Sequence, residues 1–91
     1  MTVENRSQTT IENVVAHGTG FDIPMGNIQS GAVHKLRIQP TGESGLRLTF
    51  VAGGKSIETR SDGYFEGGGY CVKATVTTAF DLEVKSQLSP C

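Results

Sequence analysis

The chain has 91 residues, eight basic and nine acidic, for a net charge of −1. That length sets an expectation of a single domain, residues 1–91, with one modest core. The near-balance of charge leaves no basic stripe, which argues against nucleic acid as a partner, and no window approaches the ~20 apolar residues of a membrane span.

The opening "MTVENRSQTT" is too polar for the apolar region of a secretory leader. An exported form would therefore have lost its signal, with Met1 an added start. Asn5-Arg6-Ser7 fits the glycosylation triplet, a pattern common by chance. "TIENVVAHG" reads as a strand in which Ile11 and Val14 are out of phase by one residue. A bulge near Glu12–Asn13 would return Ile11, Val14 and Ala16 to one face. "FDIP" puts Phe21 and Ile23 on one side before Pro24, which has no N–H and belongs at a strand end or edge.

Further on, the period is two. Leu36 and Ile38 alternate with Lys35 and Arg37; Leu46, Leu48 and Phe50 alternate with Arg47 and Thr49. Successive strand side chains point to opposite faces, so each run predicts a half-buried strand. "VAGGKS" predicts a hairpin with positive φ at Gly53 and Gly54. The segment 55–60 reads as an irregular strand. In "YCVKATVT" Tyr70, Val72, Ala74 and Val76 share a face, and in "FDLEVKS" Phe80, Leu82 and Val84 do. Strands 70–77 and 80–86 are joined so closely that they must pair antiparallel, with Cys71 opposite roughly Lys85. The predicted core is Ile11, Val14, Phe21, Ile23, Leu36, Ile38, Leu46, Leu48, Phe50, Val72, Ala74, Val76, Leu82 and Val84.

Short strands with turn signals at intervals of about 8–12 residues predict an all-β, antiparallel sandwich or barrel of about seven strands, seven or eight by count. The stretch "ENRSQTTIENVVAHG" followed by "GNIQSGAVHKLRI" resembles the opening of immunoglobulin-like or fibronectin-III-like bacterial domains. There a polar N-x-S/T turn leads into an I-x-x-V-x-V strand, and a proline–glycine turn precedes the third strand. Here Ala16 stands in the second valine position and Ser30–Gly31 replaces the turn without its proline. The resemblance implies an immunoglobulin-like β-sandwich and no activity; no tryptophan is present.

Motif tests for chemistry are negative. "GGKS" at 53–56 has Thr49 where a phosphate loop needs glycine, and strand-like sequence follows it. "GESG" at 42–45 is not a nucleophile elbow. Catalysis would need His17 or His34 to meet a carboxylate or Ser44 in a pocket. His17 reads as part of a turn, and His34 as a core-edge residue with one hydrogen bond. No CxxC or HxxxH pair suggests zinc, and Asp62 with Glu66 lacks the calcium-loop pattern. No metal and no cofactor is expected.

The stretch "SDGYFEGGGYCV" supplies the candidate binding residues Asp62, Tyr64, Phe65 and Glu66. Tyr64 and Phe65 are adjacent, so one should plug the core and the other stay exposed for a contact. Gly67–Gly69 should supply unusual backbone angles at a strand entrance, and Gly68→Val should lower the melting temperature if Gly68 needs positive φ. Cys71 and Cys91 are disulfide candidates, closing a loop of about 20 residues worth roughly 3 kcal/mol; the other reading is a buried thiol plus a C-terminal one. Segments 2–5 and 55–60 are the candidate docking edges. The functional expectation is a non-enzymatic accessory or protein-interaction module, periplasmic or secreted, whose protein partner the sequence does not identify. A small inhibitor or immunity-type protein acting by loop insertion is the alternative.

Overall fold

The computed structural model of the chain describes residues 1–67 and 69–89. Among them there are nine strands and no helix: β1 (Thr2–Asn5), β2 (Ile11–Gly18), β3 (Phe21–Ile28), β4 (Val33–Lys35), β5 (Ser44–Ala52), β6 (Lys55–Glu58), β7 (Asp62–Phe65), β8 (Cys71–Val76) and β9 (Leu82–Gln87). They form a four-stranded sheet ordered β4-β1-β8-β9 and a second sheet ordered β3-β2-β5-β6, with β7 also paired to β5. All pairings are antiparallel except β1 with β8. Val3, Val72, Ala74 and Val76 of the first sheet meet Ile11, Val14, Leu46, Leu48 and Phe50 of the second in one buried cluster.

The period-two runs become strands for the expected reason. β5 alternates buried and half-buried residues along its whole length. The irregularity in β2 is a bulge: the register shifts between Ile11 and Val14, and Asn13 takes a φ of 51°. Ile11, Val14 and Ala16 are thereby all fully buried. Gly53 and Gly54, with φ of 57° and 78°, close the β5–β6 hairpin.

Nine strands replace the expected seven or eight because the 61–69 stretch is not all loop. Its first part is β7, which pairs Ser44 with Phe65 and Leu46 with Asp62. Conversely, the strand expected through 35–39 ends at Lys35. Leu36 and Ile38 are only partly buried, as are Phe21, Ile23 and Val84. Val3, Ile28, Ala52, Phe65 and Cys71 are buried instead. The β8–β9 register sets Cys71 opposite Gln87, not Lys85. The link holds Phe80 at a φ of 62° in a turn where Thr77 N donates to Asp81 O, so Phe80 leaves the strand and packs on Phe50.

Segment 2–5 is not a free edge. β1 is flanked on both sides, and its Asn5 is fully buried. The Asn5 amide donates to Thr9 O and Ile28 O, each at 2.9 Å, and its Oδ1 accepts from Ser7 N at 2.9 Å and from Ser7 Oγ at 2.6 Å. The glycosylation triplet is thus a structural turn, since a glycan would replace one of the two Nδ2 hydrogens, both in use, on a fully buried amide. Asn5→Ala would remove the side-chain donor to Ile28 O and the acceptor for Ser7 N, while Thr9 O would still accept from Ser7 Oγ at 2.9 Å. It should lower unfolding stability by about 3 kcal/mol. Urea unfolding measures this, and a loss below about 1 kcal/mol would contradict the assignment.

Candidate functional site

β7 is held on both flanks. Its backbone pairs with β5 on one side. On the other, Asp62 Oδ2 accepts from Val84 N at 2.8 Å, and Ser86 Oγ donates to Tyr64 O. Gly63 is required here: its φ is 78°, and a Cβ would lie 2.5 Å from Val84 Cγ1. Asp62 thus satisfies a backbone donor at the β9 edge. A carboxylate in that role protects the edge from pairing with another chain.

Alternation along β7 separates the two aromatics. Phe65 is fully buried, its ring centroid 6.4 Å from that of Phe21. Tyr64 is 47% exposed. Its hydroxyl donates to Glu66 Oε1 and, at 3.4 Å, to Glu43 Oε1. The hydrogen bond to the Glu66 carboxylate raises the Tyr64 pKa well above the ordinary tyrosine value, with desolvation and the charges of Glu43, Glu66 and Tyr70 adding in the same direction. Of the four candidate residues, Tyr64 and Glu66 form one exposed unit, Asp62 is turned to β9, and Phe65 belongs to the core. Glu43 joins them from the position just before β5, a neighbour that sequence spacing does not reveal.

Gly69, at a φ of 86°, supplies the unusual angle expected before β8. Gly68 and Cys91 lie outside the described residues, so neither the substitution site nor the disulfide pairing is placed. Cys71 is buried at the head of β8.

A second cluster was not foreseen. The β2–β3 hairpin sets His17 opposite Asp22, and β5 sets Arg47 opposite His17. His17 Nδ1 lies 2.5 Å from Asp22 Oδ1, and Nε2 lies 2.8 Å from Thr49 Oγ1. In the neutral ring, Nδ1–H donates to the carboxylate and the threonine hydroxyl donates to Nε2. This is the carboxylate–imidazole–hydroxyl order that activates a nucleophile in hydrolases. The "HGTGFD" turn makes the His17–Asp22 half legible; Thr49 comes from a distant strand. A shallow depression of about 250 Å³ is lined by His17, Asp22, Arg47 and Ser61, beside an Arg47–Glu58 ion pair. Thr49 itself is in register with Val15 and Glu58 on the face of a paired sheet. Backbone N–H groups in such a ladder run between strands rather than outward, so they are not aimed to hold an oxyanion above the hydroxyl. Ser44 bonds elsewhere: its hydroxyl accepts from Thr19 N and donates to Gly45 O. His34 is half-buried on β4, opposite Val3. Among the described residues, no three His, Cys, Asp or Glu side chains converge as a metal site would require.

Comparison with family models, curated proteins and solved structures finds no match to this chain.

The Tyr64 phenol should ionise later than an ordinary tyrosine in an ultraviolet pH titration, and Glu66→Gln should bring it back toward the normal range. A Tyr64 titration unmoved by Glu66→Gln would show that the carboxylate does not hold the phenol.

Proposed function

We propose that this chain is a non-enzymatic protein-interaction module, working in the periplasm or after secretion. The observation that carries the reading is Tyr64, an exposed aromatic on a strand pinned from both sides, with its hydroxyl between Glu43 and Glu66. A rigid aromatic with a polar tip anchors interfaces at little entropic loss. Its carboxylate neighbours favour a partner surface bearing lysine or arginine. The Asp22–His17–Thr49 line fits this reading as a cross-strand tie that holds the first hairpin to β5.

The immunoglobulin-like reading is kept in a broad sense, as two packed, mainly antiparallel sheets. In immunoglobulin constant domains the second and third strands fall in opposite sheets, whereas β2 and β3 here are neighbours in one. The inhibitor alternative has less support, because Tyr64 lies on a strand and not on a projecting loop. Two cysteines in a small chain favour an oxidising compartment and a Cys71–Cys91 bridge.

Tyr64→Ala should change stability by no more than about 0.5 kcal/mol, since the ring is exposed. It should cut capture of the partner from a periplasmic or secreted fraction at least about tenfold. Undiminished capture would refute the assignment. For the bridge, protein made in an oxidising compartment should be lighter by two hydrogens before reduction than after. Two thiols alkylated without reduction would exclude the bridge.

A further inference from the structure

Pairing across the four-stranded sheet brings into line three lysines that lie far apart in the sequence. Thr2 on β1 is in register with Lys35 on one side and Lys73 on the other, and Lys73 is opposite Lys85. Residues directly opposite one another share a face of the sheet. The neighbour of Thr2 on β1, Val3, is fully buried, so this row faces solvent. All three lysines are exposed, and none forms an ion pair among the described residues. The Thr2 hydroxyl, between two of them, makes no hydrogen bond with any described residue. Like charges directly opposite in a sheet destabilise it, so Lys73 beside Lys85 has a cost that no ion pair offsets. A depression of about 330 Å³ on the same face is lined by Thr2, Lys73 and Lys85.

We propose that this row binds a linear polyanion bearing phosphate or sulfate groups, laid across the strands. The number and placing of the donors set the anion. A group seated over Thr2 has an ammonium on each side and a hydroxyl beneath it. Three donors converging from three directions match a tetrahedral oxyanion, which presents three oxygens while the fourth joins it to a polymer. A carboxylate has only two oxygens, in one plane. The gap between Lys73 and Lys85 is a second position. With neighbouring strands ~4.8 Å apart, the two positions are separated by about 7 Å and the whole row spans about 14 Å. A single exposed ion pair contributes little. Two groups on one chain hold each other in place, because the first to bind raises the effective concentration of the second.

The surroundings confine the ligand to a single file of charge. One level along the strands, about 7 Å away, the outward residues are Val33, Glu4, Thr75 and Glu83. Arg6 holds Glu4 at 3.0 Å, but Glu83 forms no ion pair among the described residues. One level the other way, Cys71 and Gln87 carry no charge. A broad anionic surface would press on Glu83, whereas a chain crossing the strands passes beside it. This goes beyond the protein-interaction reading and uses no residue of the Tyr64 anchor, so its failure leaves that anchor standing.

The test is an amide NMR titration of the full chain with short inorganic polyphosphate, dextran sulfate, polyaspartate, orthophosphate and an oligothymidylate. Polyphosphate or dextran sulfate should shift the Thr2, Lys35, Lys73 and Lys85 amides together, with a Kd below about 100 μM at low salt. Binding should weaken about tenfold between ~50 and ~200 mM salt. Whichever of the two binds more tightly identifies the anion. Polyaspartate and orthophosphate should each bind at least about tenfold more weakly. Lys73→Gln removes the lysine common to both positions. It should weaken binding at least about tenfold, while the melting temperature holds or rises because the repulsion is gone. Lys55→Gln, on the other sheet, should leave binding unchanged. Several outcomes would overturn the proposal: no saturation, polyaspartate or orthophosphate bound as tightly as the polymers, shifts centred on Arg37, Lys55 or Arg60, or binding untouched by Lys73→Gln. Tighter binding of the oligothymidylate than of both polymers would make the ligand a nucleic acid and equally overturn it.

Discussion

One side-chain amide ties the two sheets together. Asn5 sits in the first sheet, yet one of its two donor bonds ends on Ile28, the last residue of β3 in the second. All four of its hydrogen-bonding positions are used, so this fully buried polar group at the end of β1 is satisfied. Ser7, itself buried, is placed by that amide, and Ser30 Oγ donates to Ser7 O at 2.6 Å. Gly31 N donates to Asn5 O, and Asn5 N to Ala32 O, which seats the chain for β4. An apolar residue at position 5 could fill the volume, but it would not fix the angle at which β1 and β3 meet.

The other device is closure of the sheet edges. β6 leaves the β5 ladder at Thr59, whose hydroxyl accepts from Leu48 N at 3.0 Å, and β7 pairs with the start of β5. The chain then crosses to β9, where Asp62 and Ser86 provide side-chain bonds in place of a backbone ladder. A sheet edge that would otherwise be open is thereby covered. What remains open by contrast is β6, with Lys55 and Glu58 on it, β3 at the other end of the same sheet, and the short β4.

Local order was legible in the sequence; long-range placement was not. The β2 bulge, the Gly53–Gly54 turn and the β8–β9 pairing follow from phase, glycine chemistry and short connections, all within a dozen residues. The Phe65–Tyr64 division follows from alternation alone. By contrast, Leu36 and Ile38 show a core pattern but are only half-buried, because β4 ends at Lys35 and they lie outside the sheet. Asn5 looked like a surface triplet because nothing local reveals Ile28. Likewise Thr49 joins His17 only through the β2–β5 pairing, and Glu43 joins Tyr64 only through β5 and β7. Each of these depends on which strands become neighbours, information spread over the whole chain.

The parallel pairing of β1 with β8 bears on the order in which the molecule can assemble on the ribosome. Strands β2, β3, β5 and β6 are complete once residue 58 has been made, so the second sheet then lacks only β7. β1 is synthesised first yet meets its longer partner only when residues 71–76 appear. Until then it has only the three-residue β4 beside it. Joining the two ends of the chain closes a long loop, an entropic step that slows folding. The first strand to emerge is thus among the last to be fully paired.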